Sequence, residues 1–139
     1  MRLGIQLLNT DATLNDFDKK SFIEFAQGET VDIVFQLVNL DKSGTRYIPA
    51  SGCSVFVEIP RYPEYFGTIS NQRTMADYSI RRYASQAFAD DRSIWKLSLT
   101  SIDTSNMMSS NIRVTVTEAS KKSIGILQQA LKVFRSEDV

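Results

Sequence analysis

Alternation between apolar and polar side chains is the feature that most constrains how this chain can fold. Residues 112–117, IRVTVT, place three β-branched side chains on one side and polar side chains on the other. This period of two is typical of a β-strand with one buried face. A polar segment, EASKKS (118–123), follows, and Ile124 and Ile126 then resume the inward-facing pattern. The pattern predicts a β-hairpin whose two strands share an apolar face.

The same alternation recurs in other short segments, which predict further strands. The longest of them, TVDIVFQLVNL (30–40), is apolar on both sides, because Val34 and Val38 oppose the main apolar face. A strand buried on both sides is expected near the centre of a sheet. The remaining predicted strands are RLGIQLL (2–8), SFIEFA (21–26), CSVFVEIP (53–60) and SIWKLSLT (93–100).

Two segments depart from simple alternation. SIDTSNMMSS (101–110) predicts a single helical turn, with Ser101 as the residue that caps its first amides. ILQQALKVF (126–134) fits helical spacing as well as strand spacing. We favour a strand with a bulge near Gln128 and Gln129, because β-branched residues on either side of this pair prefer extended backbone.

The number and spacing of these segments predict an all-β protein. Seven or eight short strands with polar turns and little helix are typical of an antiparallel immunoglobulin-like β-sandwich. A chain of 139 residues has the length of one domain, so we expect a single sandwich over residues 1–139. Within it, residues 1–20 are a candidate N-terminal arm, and residues 1–9 are a candidate for strand exchange with a neighbouring subunit. Residues 61–92 are expected to form a long insertion or extended connection.

The sequence offers little material for catalysis or metal binding. It contains no histidine, which excludes histidine general bases, histidine-dependent triads and histidine metal sites. Its six glycines form no phosphate-binding loop, and Cys53, the single cysteine, is expected to be a small buried thiol. Acidic pairs such as Asp16 with Asp18 lack the further ligands of a calcium loop. We therefore expect no catalytic residue, no cofactor and no metal.

The charge balance bears on the class of partner. Sixteen basic side chains balance sixteen acidic ones, so the chain has no overall field that would draw it to nucleic acid or to an anionic membrane. No segment approaches the roughly 18 consecutive apolar residues that a membrane-spanning helix needs. We expect a protein partner, with no nucleic acid and no membrane.

Residues 61–83 form the segment whose composition best indicates contact with another protein. Tyrosine and arginine are interleaved there, and both are enriched at interfaces because they cover a large area and still hydrogen-bond at the tip. A connection packed on its own sandwich and, less favoured, a single-stranded nucleic-acid site are the alternatives. The candidate interface residues are Arg61, Tyr62, Tyr65, Phe66, Arg73, Tyr78, Arg81, Arg82 and Tyr83.

Three segments also carry a resemblance to known proteins: FIEFAQGETVDIVFQLVNLD, GCSVFVEIP and SLTSIDTSNMMSSNIRVTVTEASKKSIGILQQALKVF. Together they resemble the immunoglobulin-like modules of tailed-phage virion structural proteins, such as the N-terminal domain of baseplate upper proteins and capsid or tail decoration proteins. The likeness covers about residues 21 to 134, although Ala119 and Ser120 stand where a glycine turn is expected. The matching residues are Gln27, Gly28, Glu29, Thr30, Met107, Met108, Asn111, Val114, Glu118, Gln128, Gln129 and Ala130.

The resemblance implies a non-enzymatic virion structural protein that decorates or connects capsid or tail subunits through protein-protein contacts. It implies other capsid, tail or baseplate subunits as partners, a symmetric homo-oligomer, and a location in the virion after assembly in the host bacterial cytoplasm. A carbohydrate- or receptor-binding module of a phage baseplate or fibre is the alternative, since exposed aromatic rings can stack on sugars. A hydrolase with two converging carboxylates is a third, disfavoured possibility.

Overall fold

The structure, a computed structural model, describes residues 1–9, 19–60 and 79–135. Within these ranges the chain forms eleven β-strands that build two layered sheets, together with a 3-10 turn and one helical turn. The strands are β1 (Leu3–Leu8), β2 (Lys19–Lys20), β3 (Ile23–Ala26), β4 (Val31–Asn39), β5 (Thr45–Arg46), β6 (Ser54–Pro60), β7 (Ser79–Tyr83), β8 (Ser85–Phe88), β9 (Asp91–Leu99), β10 (Ser110–Thr117) and β11 (Lys122–Phe134). The 3-10 turn is η1 (Leu40–Lys42), and the helical turn is α1 (Ser101–Thr104).

The N-terminal strands are divided between the two sheets. The first sheet has the order β2-β1-β4-β9-β8, with β5 paired to β4, and the second has the order β3-β11-β10-β6-β7. Strand β1 therefore pairs with β4 in one layer, whereas β3 pairs with β11 in the other. The pairing of β3 with β11 is parallel, and the other pairings are antiparallel.

This architecture confirms the all-β, immunoglobulin-like sandwich that the alternation predicts. The predicted count of seven or eight strands is wrong, because the described residues alone form eleven. Strands β2 and β5 have two residues each, which is too short for alternation to be seen in a sequence. Strands β7 and β8 lie at the edges of their sheets and carry mostly polar residues, so their sequences show no apolar alternation.

Two segments with a predicted role in domain organisation lie partly outside the described residues. In the candidate N-terminal arm, Leu3–Leu8 is β1 and pairs along its length with β4 of the same chain. Residues 10–18 lie outside the described ranges. In the predicted long connection, residues 79–92 form β7, β8 and the start of β9, and residues 61–78 are not described.

The main core fills the space between the two sheets. Phe35, at the centre of β4, is fully buried, and it belongs to one cluster with residues of both sheets such as Val57 and Val114. Val34 lies on the opposite side of β4, in a smaller cluster with Leu8 and Ile94. The prediction that this strand is covered on both sides is confirmed.

Strand β11 continues to Phe134, with a bulge where the sequence predicted one. The register passes from Ile112 opposite Leu127 to Ser110 opposite Leu131, so three residues of β11 face one residue of β10. Gln129 adopts a left-handed backbone, with φ at 54°, and its amide donates to the Asn111 side chain at 2.8 Å. The side-chain oxygen of asparagine replaces the pairing that the bulge removes.

The prediction that Ile124 and Ile126 face inward is wrong. Both are about half exposed, at 46% and 53%. The register places Val114 opposite Gly125, so the glycine faces the core in their place. A Cβ atom at Gly125 would lie 2.8 Å from the carbonyl oxygen of Leu3, so the absence of a side chain is what lets β1 pack against β11.

The helical turn α1 is present, but Ser101 is not its cap. Thr100 is the N-cap, and its hydroxyl accepts from the amide of Asp103 at 3.2 Å. The Asp103 carboxylate in turn accepts from the amide of Thr100 at 2.8 Å. This reciprocal pair is a capping box, which satisfies two amides that the short turn leaves without helical partners.

Candidate functional site

The solvent-facing side of the second sheet, here called the outer face, collects side chains from β7, β6, β10 and β11. Residues that lie opposite one another in register point to the same side of a sheet, so each register line gives a row of neighbouring side chains. Two such rows cross the outer face. The aromatic row contains Tyr83, Phe56, Thr115 and Ile124, and the charged row contains Arg81, Glu58, Arg113 and Ile126.

The aromatic row exposes a large apolar area to solvent. Tyr83 is 69% exposed, and its ring meets that of Phe56 edge to face, with centroids 4.9 Å apart and planes at 61°. At the other end of the row, Ile124 packs beside Thr115, which is buried beneath its neighbours. Exposed aromatic and branched side chains in one row of a sheet are a feature of protein-binding surfaces.

The charged row places one carboxylate between two guanidinium groups. Glu58 Oε2 lies 3.4 Å from Arg81 Nε, and Glu58 Oε1 lies 3.8 Å from Arg113 Nε. Arg81 also lies over the ring of Phe56, with its guanidinium carbon 5.4 Å from the ring centroid. The carboxylate is almost fully buried, so it holds both arginines at the surface of the sheet rather than facing solvent itself.

The structure describes three of the nine predicted interface residues. Arg81 and Tyr83 lie on the outer face, one in each row. Arg82 alternates to the other side of β7 and binds Asp103 of α1. The other six, Arg61, Tyr62, Tyr65, Phe66, Arg73 and Tyr78, lie outside the described residues.

Sequence reasoning missed the neighbours that complete the outer face. Phe56 alternates with inward-facing valines, and Arg113 lies on the polar side of a predicted strand, so each is visible as an outward position. Neither stood out, because only the register brings them beside Arg81 and Tyr83. Ile124 was missed because the second strand of the hairpin was assigned to the wrong face.

The pair between Arg82 and Asp103 joins the edge strand β7 to α1. Arg82 Nη1 donates to Asp103 Oδ2 at 2.7 Å and to the carbonyl of Ser98 at 3.3 Å, and Nη2 donates to the second carboxylate oxygen. These bonds from Arg82, helped by those from Thr100 and opposed by burial, lower the pKa of Asp103 from 3.8 to about 2. Both terminal nitrogens of Arg82 are thus bonded within the chain.

Residues that carry the resemblance to phage modules hold turns of this fold together. The Gln27 side chain donates to the carbonyl of Met107 at 2.9 Å, and the Gly28 amide donates to the Thr104 hydroxyl at 3.0 Å. The Thr104 hydroxyl in turn donates to the carbonyl of Glu29 at 2.7 Å. The turn before β4 is therefore tied to α1, which makes these motif positions structural.

A second cluster ties the chain after β5 to the turn after β10. Glu118 accepts from the Tyr47 hydroxyl at 2.5 Å and from the Ala50 amide at 2.7 Å, and Lys121 lies 3.9 Å away. Burial of the Glu118 carboxyl works to raise its pKa, but the bonds from Tyr47 and Ala50 outweigh burial and lower it. The cluster satisfies its own charges and offers no free group for chemistry.

A groove of about 690 Å³ lies beside the bulge in β11. It is lined by amide side chains, including Asn111 and Gln128, and by Phe134, which is 45% exposed. The Asn111 oxygen is already bonded to the bulge amide. The remaining amide groups of the groove can exchange hydrogen bonds with a polar ligand.

Among residues 1–9, 19–60 and 79–135, no three histidine, cysteine, aspartate or glutamate side chains converge as a metal site would require. No helix within those ranges is long and apolar enough to span a bilayer. Cys53 is half buried, and burial raises the pKa of its thiol above the ordinary value.

No protein-family model and no curated protein matches this chain. Among solved structures, the M1 domain from titin is similar at a TM-score of 0.38 and 13% sequence identity, over 83% of this chain and 87% of that one. The strand order and register of this chain are what identify its architecture as an immunoglobulin-like sandwich.

Proposed function

We propose that this chain is a non-enzymatic structural module that binds another protein through the outer face of its second sheet. The observation that carries this proposal is the aromatic row, which leaves Tyr83 mostly exposed and Ile124 about half exposed beside arginines on the sheet. Tyrosine, phenylalanine and arginine are the side chains that dominate binding energy at protein interfaces. A surface of this kind gains free energy by burying area, with no reacting group.

The resemblance of residues 21–134 to phage modules supports a more specific form of the proposal. In this form the chain decorates or connects capsid or tail subunits of a tailed-phage virion, and the partner is another virion protein. Modules of that class act through surface contacts, which agrees with the absence of histidine from the sequence. The identity of the partner subunit would determine where in the virion the chain lies and which symmetry its assembly has.

The test is association of a tagged chain with virus particles. Particles are isolated from cells that express the tagged chain, and the tag is located by gold labelling in the electron microscope. Ile124→Ser and Tyr83→Ala should each reduce bound chain, because truncation of a central interface residue costs about 2 kcal/mol or more, equivalent to roughly 30-fold in affinity.

Ile102→Ser is the matched control for Ile124→Ser. Ile102 is 80% exposed and lies on α1, away from the outer face, so its loss should leave particle association unchanged. Thermal unfolding of each variant confirms that the fold is retained. Full incorporation of both outer-face variants would contradict this binding face, and an absence of tag on any particle would contradict the virion location.

Carbohydrate binding is a second candidate, which the groove beside the bulge favours. Amide side chains and an exposed phenylalanine are suited to sugar hydroxyls and to the apolar face of a sugar ring. A glycan array probed with the isolated chain tests this candidate. Binding that is lost in Phe134→Ala and retained in Tyr83→Ala would support the groove, and a silent array would count against it.

A further inference from the structure

The guanidinium groups of Arg81 and Arg113 indicate the chemistry of the partner. Both approach Glu58 through Nε, at 3.4 and 3.8 Å, and not through the paired nitrogens that form a two-point contact. In the described part of the chain, neither guanidinium donates a hydrogen bond of good geometry, and Arg113 Nε is buried without a hydrogen-bond partner, at ion-pair distance from Glu58. Because this buried nitrogen already faces Glu58, an acceptor on a partner can meet the two arginines only through the exposed part of each side chain, where a charge-assisted bond would stabilise the surface.

The charges of the outer face do not cancel. Arg81, Arg113 and Lys122 are balanced by Glu58 alone, which leaves a net charge of two positive on this patch of a chain that is neutral as a whole. Within the described ranges, no carboxylate lies within salt-bridge distance of Lys122. The face therefore attracts negative groups and repels a copy of itself.

We propose that the outer face binds an acidic segment of a partner protein. Carboxylates of that segment bind Arg81 and Arg113, while an apolar side chain packs against Tyr83 and Ile124. The inference rests on the proposed function and adds the charge of the partner to it. Glu58 acts as a positioning residue, because its carboxylate lies between the two guanidinium groups. Each Glu58 oxygen faces one arginine Nε, so the terminal nitrogens of both arginines are left for a partner.

Carboxylate is the acceptor that best fits these donors. The planar guanidinium presents two parallel N–H groups that match the two oxygens of a carboxylate, and such charge-assisted bonds are roughly twice as strong as neutral ones. The side chain of Arg113 is 28% exposed and that of Arg81 is 41% exposed, so both can reach a ligand while remaining partly shielded from water. Partial shielding strengthens an ion pair relative to one at a fully exposed site.

Nucleic acid is the competing ligand for a surface with arginine and aromatic side chains. Single-strand binding needs open ring faces on which bases stack. Arg81 already covers one face of Phe56, and Tyr83 meets the same ring edge to face. The aromatic row is therefore poorly arranged as a stacking platform, and the acidic protein segment is favoured.

The test follows backbone amide signals of the isotope-labelled full chain by NMR during titration with a short acetylated peptide. In this peptide glutamate alternates with leucine and phenylalanine, and a second peptide carries glutamine in place of glutamate. The acidic peptide should shift signals of β6, β7, β10 and β11, and its binding should weaken as the salt is raised to about 0.5 M. Arg81→Gln and Arg113→Gln should each weaken it about tenfold, the loss expected for a charge-assisted hydrogen bond.

Lys96→Gln is the matched control, because Lys96 is an exposed cation on β9 of the other sheet. The Lys96→Gln variant should bind the acidic peptide as tightly as the unchanged chain does. Equal binding of the glutamine peptide, or no effect of the arginine variants, would overturn the acidic partner. Tighter binding of a single-stranded oligonucleotide at the same signals would overturn it in favour of nucleic acid, and self-association through these signals would overturn it in favour of a second copy.

The two proposals fail in distinguishable ways. If the arginine variants bind particles normally while Ile124→Ser does not, the binding face stands and the charge of the partner is wrong. If the acidic peptide binds as expected but no outer-face variant changes particle association, the face recognises acidic segments and the proposed virion role is wrong.

Discussion

Individual carboxyl groups stabilise this fold when they are held by several donors at once. Asp103 accepts from Arg82 of β7 and from the amide of Thr100, and it is almost fully buried. The sequence alone did not indicate this role of Asp103, because an aspartate early in a helical turn can equally be a solvent-exposed cap. The arginine partner, 21 residues earlier in the chain, is fixed only by the tertiary fold.

Asp103→Asn should destabilise the chain by about 2 kcal/mol at neutral pH, the value that corresponds to a pKa lowered from 3.8 to about 2. Because the pKa is lower in the folded state, this stabilisation is complete above about pH 4 and is lost as the pH falls towards 2. Urea unfolding of both chains as a function of pH measures the difference. Asp90→Asn, in the exposed turn before β9, is the control, and a difference that persists at the lowest pH would contradict the ionic cause.

Gly125→Ala should destabilise the chain by about 1 to 3 kcal/mol, because the added methyl group would press on the Leu3 carbonyl between the two layers. The change in the midpoint of urea unfolding measures the loss. Ser123→Ala, two residues earlier in the same strand and half exposed, should have little effect. Equal stability of the alanine variant and the unchanged chain would show that β1 is free to move away from β11.

Whole elements follow from the sequence where both faces of a strand have a clear character. The buried run of β4 and the inward face of β6 were visible as alternating side chains, since burial of every second residue leaves that pattern. Register was not visible, and a shift of one residue exchanges the two faces of a strand. The hairpin shows this directly, because Gly125 and not Ile124 faces the core.

Thr100→Ala and Ser101→Ala separate the N-cap of the structure, Thr100, from the one that the sequence predicted, Ser101. Thr100→Ala should cost about 1 kcal/mol of unfolding free energy, because it removes the acceptor of the Asp103 amide. Ser101→Ala should cost a few tenths at most, since Ser101 is exposed within the turn. Equilibrium urea unfolding gives both values, and the reverse order of effects would show that the turn begins one residue later.

At the scale of the molecule, the sequence was enough for the class of fold and for part of the candidate site. Period-two patterns imply two layers because each strand must bury one side, and that inference does not depend on register. The outer face does depend on it, because Arg81 and Tyr83 come from one strand while Phe56, Arg113 and Ile124 come from three others. Composition could select the first pair of residues, but only strand pairing could assemble the rows.

The parallel contact between β3 and β11 also sets the order in which the protein can be completed. Residues 23–26 pair with residues 131–134, so the first of these segments waits for one made more than a hundred residues later. Until the ribosome has released that late segment, the backbone groups of residues 23–26 lack their partner, and contacts between such distant segments form slowly. Strand β3 is thus exposed to mispairing during the synthesis of the hundred or so residues that separate it from its partner.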